Sequence, residues 1–137
     1  MGSLHVAEVG TARGLVHNHL DDFAASVRFV LAHFGNPWVM DAAQVVYKNA
    51  NVYAELSAFL IGGEKEWAAM EKEGVVGRTV KRVMEGIEYA EAPERFLYGS
   101  DYPLSPMPAY RDFVRRMFPK DQHEAVFRDN AKKLFGL

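Results

Sequence analysis

Apolar runs of strand type alternate along this chain with stripes of helical period, and that alternation limits the fold more than any other feature. Val27-Arg28-Phe29-Val30-Leu31-Ala32-His33-Phe34-Gly35 reads as an almost unbroken apolar strand, of the kind buried on both faces in parallel sheets. Asn36 is placed to cap a helix with Pro37 at its first position, and Val39, Ala42, Ala43 and Val46 then recur at helical spacing. The unit returns from Val52 to Ser57, where a period of two marks a strand, and a helical stretch from Glu64 to about Glu73 breaks at Gly74. Val76, Val80, Val83, Ile87 and Ala90 form the next helical stripe. Strand, helix, strand, helices, strand and helix in this order predict right-handed crossovers and a parallel α/β sheet.

The last strand carries the strongest chemical signal. Arg95-Phe96-Leu97-Tyr98 runs into Gly99-Ser100-Asp101-Tyr102, and Pro103 forbids the strand to continue. Parallel sheets place their ligands beyond the carboxyl ends of the strands, so Asp101 is a candidate catalytic residue and Tyr102, beside it, a candidate substrate contact. The same position after the first strand is held by His33. An aspartate at a turn also orders its own backbone, so on the residue alone a turn cap is the commoner reading of Asp101, and the matching stretch that ends at His33 is what favours chemistry. Tyr110, Phe113, Val114 and Met117 then share one helical face opposite a solvated face of Arg111, Arg115 and Arg116. Pro119 stops that helix, and Asp121 with Glu124 predicts a capping box for the last one, with Phe127, Ala131, Leu134 and Phe135 buried, His123 exposed and Gly136 as terminator.

Other stretches say less. Leu4, Val6 and Val9 give a weak strand pattern, and residues 1–11 are an unassigned start or a remnant strand. His17 and His19 form an H-x-H pair that can bind a metal from one strand face, yet only Leu15 and Val16 precede it, which favours a surface loop. Asp21 or Asp22 can cap a short helix through Phe23, Ala24 and Val27. Trp38, Trp67 and Met70 read as core before pocket, and Glu55 as a polar group on an exposed pleat before a lumen residue.

Composition excludes several classes. The 137 residues contain no cysteine, so thiolate metal sites, disulfides and a cysteine nucleophile are ruled out. A formal net charge of −2 implies neither nucleic acid nor an anionic membrane as partner. No apolar run approaches the roughly 18 residues of a membrane span, and no signal-peptide pattern is read, so a cytoplasmic protein is expected.

Four ordered motifs carry a family resemblance: Ala32 to Trp38, Tyr47 to Ser57, Arg95 to Pro103, and Phe127 to Gly136 in Phe-Arg-Asp-Asn-Ala-Lys-Lys-Leu-Phe-Gly. Together they make residues 12–137 similar to the carboxyl-terminal half of the amidohydrolase-2 family, metal-dependent TIM-barrel hydrolases and decarboxylases. The resemblance implies a partial (half) TIM barrel of three to four parallel strands with flanking helices. It gives His33 the place of a histidine that polarises substrate or moves protons, and Asp101 that of a metal ligand which also handles the proton of metal-bound water. A divalent metal, zinc first, is the implied cofactor, and His17 receives no metal role. Such a half retains His33 and Asp101 but lacks the family's H-x-H ligands of the first strand, so negligible catalysis is expected of it alone; a noncatalytic binding or assembly module is the alternative. Open strand edges predict a homo-oligomer or pairing with a missing amino-terminal half, and a small-molecule substrate is expected for the intact barrel.

Overall fold

The computed structural model describes residues 4–7 and 27–137. Four parallel strands, β1 (Leu4–Ala7), β2 (Arg28–Leu31), β3 (Val52–Glu55) and β4 (Phe96–Leu97), form one sheet in that spatial order. Parallel pairing places Leu31 level with Ala54, and Glu55 level with Leu97. The weak pattern near the start is thus a strand, with Leu4 level with Arg28. The expected cap at Asp21 or Asp22, the helix after it, and His17 and His19 lie outside the described residues.

Helices α1 (Val39–Lys48), α2 (Glu64–Lys72), α3 (Val75–Ala90) and α4 (Met107–Arg115) follow the strands, and α5 (Asn130–Phe135) ends the chain. The predicted apolar stripes are the buried ones: Val39, Ala42, Ala43 and Val46 on α1, Val76, Val80, Val83, Ile87 and Ala90 on α3, and Tyr110, Phe113 and Val114 on α4. They cover the sheet face that carries Leu31, Val52, Ala54 and Phe96, with Trp67 and Phe34 in the same core. Where α1 and α3 meet, a β-carbon on Gly86 would stand 2.5 Å from Val39 Cγ1 and 3.1 Å from Phe34 Cε1, so this close helix crossing requires glycine. The opposite sheet face is smaller. There Val30 and Leu97 pack with Leu134 of α5, beside Tyr53 and Ala131.

Several boundaries differ from the sequence reading. The strand through His33 stops at Leu31, because Ala32–Gly35 turns and both His33 (φ 55°) and Phe34 (φ 41°) take left-handed conformations. Asn36 caps no helix; Arg82 Nη2 donates to its Oδ1 at 3.0 Å, and Trp38 stands at the start of α1 without a side-chain cap. The capping box does not form. The turn at Lys120–Gln122 has no side-chain cap, and Glu124 instead pairs forward with Arg128 at 2.5 Å, one helical turn on. Phe135 is half exposed, and the interior positions of the last segment belong to Val126, Asn130 and Leu134. His123 is partly buried, its Nε2 3.0 Å from the carbonyls of Arg115 and Phe118 at the end of α4. Trp38 is exposed rather than core.

The outer edge of β4 is also covered. Tyr98 N–H donates to Val126 O at 3.0 Å, and Asn130 Nδ2 donates to Phe96 O at 2.9 Å and Pro93 O at 3.0 Å. The expectation of an open edge fails on this side, because the chain's own last segment takes the hydrogen bonds that a neighbouring strand would otherwise take.

Candidate functional site

Parallel strands of matched register bring the residues just past their carboxyl ends to one side of the sheet. Beyond β2 stands His33, beyond β3 Ser57, and beyond β4 Gly99 and Asp101. Glu55 ends β3 itself. A period of two puts Glu55 and Ser57 on the same side of their strand.

Glu55 organises this cluster. Its Oε1 accepts the backbone N–H of His33 in a short hydrogen bond and the Ser57 hydroxyl at 3.0 Å, while Oε2 accepts the Ser57 backbone N–H at 2.9 Å. His33 Nδ1 lies 2.8 Å from Ser57 Oγ and 3.2 Å from Glu55 Oε1. The Glu55 side chain is 20% exposed and that of His33 41% exposed. One carboxylate therefore fixes both the left-handed turn that presents His33 and the hydroxyl against its ring. The reading of Glu55 as a solvated group on an exposed pleat does not hold, since its carboxylate is taken up by neighbouring donors.

Behind the cluster Tyr110 is fully buried. Its hydroxyl donates to Leu56 O at 2.7 Å and accepts from Phe59 N–H at 3.2 Å, which holds the loop after Ser57 against α4. Burial, and more weakly the charges of Glu55, Tyr98 and Asp101, push the phenol well above its ordinary range, opposed by the Phe59 N–H. In front, an apolar groove of about 370 Å³ is lined by Val30, Leu97, Tyr98 and Phe135, with Glu55 among them.

Asp101 is exposed and has φ 55°, and its carbonyl accepts Leu104 N–H at 2.9 Å. It therefore closes a turn while leaving its carboxylate on the surface at this end of the sheet. Tyr102 is 72% exposed. Of the residues picked out in the sequence, His33 enters the hydrogen-bonded cluster. Among the described residues no three His, Asp or Glu side chains converge to hold a metal ion. These donors alone do not fit a tight divalent site, which normally takes three protein ligands.

Glu55, weighed in the sequence as a surface group first, and Ser57, not singled out there, complete the cluster. Their signal was the Glu-x-Ser spacing at the end of a strand, two groups on one pleat face.

Among the described residues, four parallel strands with α1 to α4 on one face and polar groups gathered past the strand ends define part of a (β/α) barrel. The chain belongs to the amidohydrolase family, whose model matches residues 11–137. It is similar to an amidohydrolase from Burkholderia multivorans solved with bound HEPES (TM-score 0.66, 15% identity), with 98% of this chain covering 53% of that one. It is also similar to a dihydroxybenzoic acid decarboxylase from Polaromonas sp. JS666, solved with manganese and the inhibitor 2-nitroresorcinol (TM-score 0.62, 18% identity, 92% of this chain and 39% of that one). A third similar structure is an uncharacterized TIM-barrel protein from Bordetella bronchiseptica (TM-score 0.62, 17% identity, 97% and 44%). The chain thus spans about half or less of the length of these neighbours, and at such identities the likeness is one of fold. No curated protein matches the sequence significantly.

Proposed function

We propose that this chain is the carboxyl-terminal half of an amidohydrolase-type barrel and contributes His33 and Asp101 to its reaction, either hydrolysis of a C–N or C–O bond or nonoxidative decarboxylation of an aromatic acid such as a dihydroxybenzoate. The observation that carries this reading is the position of His33, past the carboxyl end of β2, with its ring held at Nδ1 by Ser57 and Glu55. That leaves Nε2 as the nitrogen for proton transfer at the mouth: it first accepts a proton, from the attacking water in hydrolysis or from solvent in decarboxylation, and then passes it to the leaving group or to the carbon that loses CO2. Asp101 is the residue for a metal-ligand role, and zinc the first metal to test. The described donors fall short of a full set, so further ligands must come from outside the described residues, from a missing amino-terminal half or from a second copy. A reducing cytoplasm suits a chain without cysteine. Among the described residues no helix is long and apolar enough to cross a membrane.

A second reading, a noncatalytic binding or assembly module, is favoured by the incomplete donor set. Elemental analysis of purified protein, its mass in solution and a screen for CO2 release from dihydroxybenzoates separate the two. Near-stoichiometric metal lost on Asp101→Ala, together with turnover lost on His33→Ala, supports the enzyme. A folded protein without metal or turnover, alone and with an added amino-terminal half, overturns it.

A further inference from the structure

We infer that Glu55 and Ser57 are positioning residues that set the tautomer of His33, holding its proton on Nδ1 and leaving Nε2 as a bare acceptor toward the mouth; this deepens the proposed function and rests on that reading of His33. The argument is one of hydrogen-bond direction. Three donors, the His33 N–H, the Ser57 N–H and the Ser57 O–H, converge on the two oxygens of Glu55. An ionised carboxylate only accepts, so the Ser57 hydroxyl must spend its one proton on Glu55 Oε1. With that proton committed, Ser57 Oγ can only accept from the ring nitrogen 2.8 Å away. His33 Nδ1 must then carry the hydrogen. Glu55 Oε1, 3.2 Å from the same nitrogen, favours the same arrangement.

The geometry also excludes a different use of these side chains. A serine nucleophile needs the imidazole to take its proton through one ring nitrogen while an acid holds the other. Here serine and carboxylate both address Nδ1, the serine proton points to the carboxylate, and Ser57 is 5% exposed. Ser57 thus orients the ring and does not attack. The left-handed backbone of His33 belongs to the same device, since the Glu55 oxygen that commits the serine proton also accepts the His33 N–H.

The test is the ¹⁵N spectrum of the imidazoles in the full chain, without substrate or metal and under mildly alkaline conditions, with His33 assigned by loss of its signals in His33→Gln. The wild type is expected to show a protonated Nδ1 and an unprotonated Nε2. In Glu55→Gln, nearly the same shape, one carboxylate oxygen becomes an amide donor that cannot serve all three N–H and O–H groups; the serine hydroxyl is freed to turn toward Nδ1, and the proton moves to Nε2 in a large fraction of molecules. Ser57→Ala removes the nearest partner and is expected to give a mixture, with Ser57→Thr restoring the wild-type pattern. Should Glu55→Gln fail to fold, Ser57→Ala decides. A wild-type proton on Nε2, or folded variants that keep the wild-type pattern, overturns the inference. Because the spectrum reads no turnover, a chain that proves noncatalytic can still show the tautomer, and an active chain can still lack it.

Discussion

Gly99 lies so close to Glu55 that a β-carbon there would overlap Oε2 and stand 3.2 Å from Ser57 Cβ. The glycine after β4 therefore makes the space in which the β3 carboxylate reaches across to His33. Gly99→Ala adds one methyl group and changes no charge or hydrogen-bonding group, yet it must displace Glu55. The expected outcome is a loss of about 1–3 kcal/mol, the usual scale for overpacking, read by urea denaturation. The His33 ring signals should shift in the same direction as in Glu55→Gln. An alanine variant of wild-type stability with unmoved His33 signals would show that the carboxylate has room elsewhere.

Tyr110 gives a prediction in pH. Its folded pKa is raised above the ordinary phenol value of 10.0, so the unfolded chain releases the phenolic proton first as the solution becomes alkaline. The stability due to the protonated, buried phenol is fully present below about pH 10 and is lost as pH rises from there toward the folded value. In Tyr110→Phe the Leu56 carbonyl loses its donor and the Phe59 N–H its acceptor, at about 1–3 kcal/mol near neutrality. Above pH 10 the wild type should lose an additional amount of about 1.4 kcal/mol per pH unit that the variant does not, so the gap between them narrows. Parallel curves in urea titrations between neutral and alkaline pH would refute this.

Arg95 ties three segments together before β4 begins. Its Nη1 donates to Val46 O at 2.5 Å and Asn49 O at 2.7 Å, with Val52 O at 3.4 Å, and only 14% of its side chain is exposed. A cation at the carboxyl end of α1 also meets the negative end of the helix dipole. Arg95→Met keeps much of the apolar stem but leaves those carbonyls short of a donor, and a loss of about 2–3 kcal/mol in thermal or urea unfolding is expected. Arg95→Lys should recover part of it, because an ammonium reaches one or two carbonyls but not all of them.

Much of this fold was legible from periodicity, and the reasons for the exceptions are physical. The buried stripes of α1, α3 and α4 were readable because each contacts the core through one face. Phe135 misled because, among the described residues, the short last helix buries Leu134 against Val30 and Leu97 while Phe135, one position on, stays half exposed. The turn at His33 was hidden because its left-handed backbone is held by Glu55 from another strand, 22 residues away. Asp101 and His33 were visible as types at strand ends. Glu55 was not, because a carboxylate in a strand looks the same in sequence whether it faces water or neighbouring donors.

Asn130 is the last case, and it links edge protection to association. The residue is 6% exposed, and its amide donates to Phe96 O and Pro93 O where β4 would otherwise offer a bare edge. Asn130→Asp preserves the shape but turns two donors into acceptors facing two carbonyls, so it should cost more than Asn130→Ala, whose expected loss is about 1–3 kcal/mol. Both variants should also loosen the final segment, exposing Tyr98 N–H and the β4 carbonyls together with the apolar Val30 and Leu97 face. Concentration-dependent association by light scattering is then expected of the variants above the wild-type level, because an uncovered strand edge next to apolar surface is a template for pairing. If Asp is tolerated as well as Ala, and neither variant associates more than the wild type, the edge is protected by the backbone bond between Tyr98 and Val126 alone.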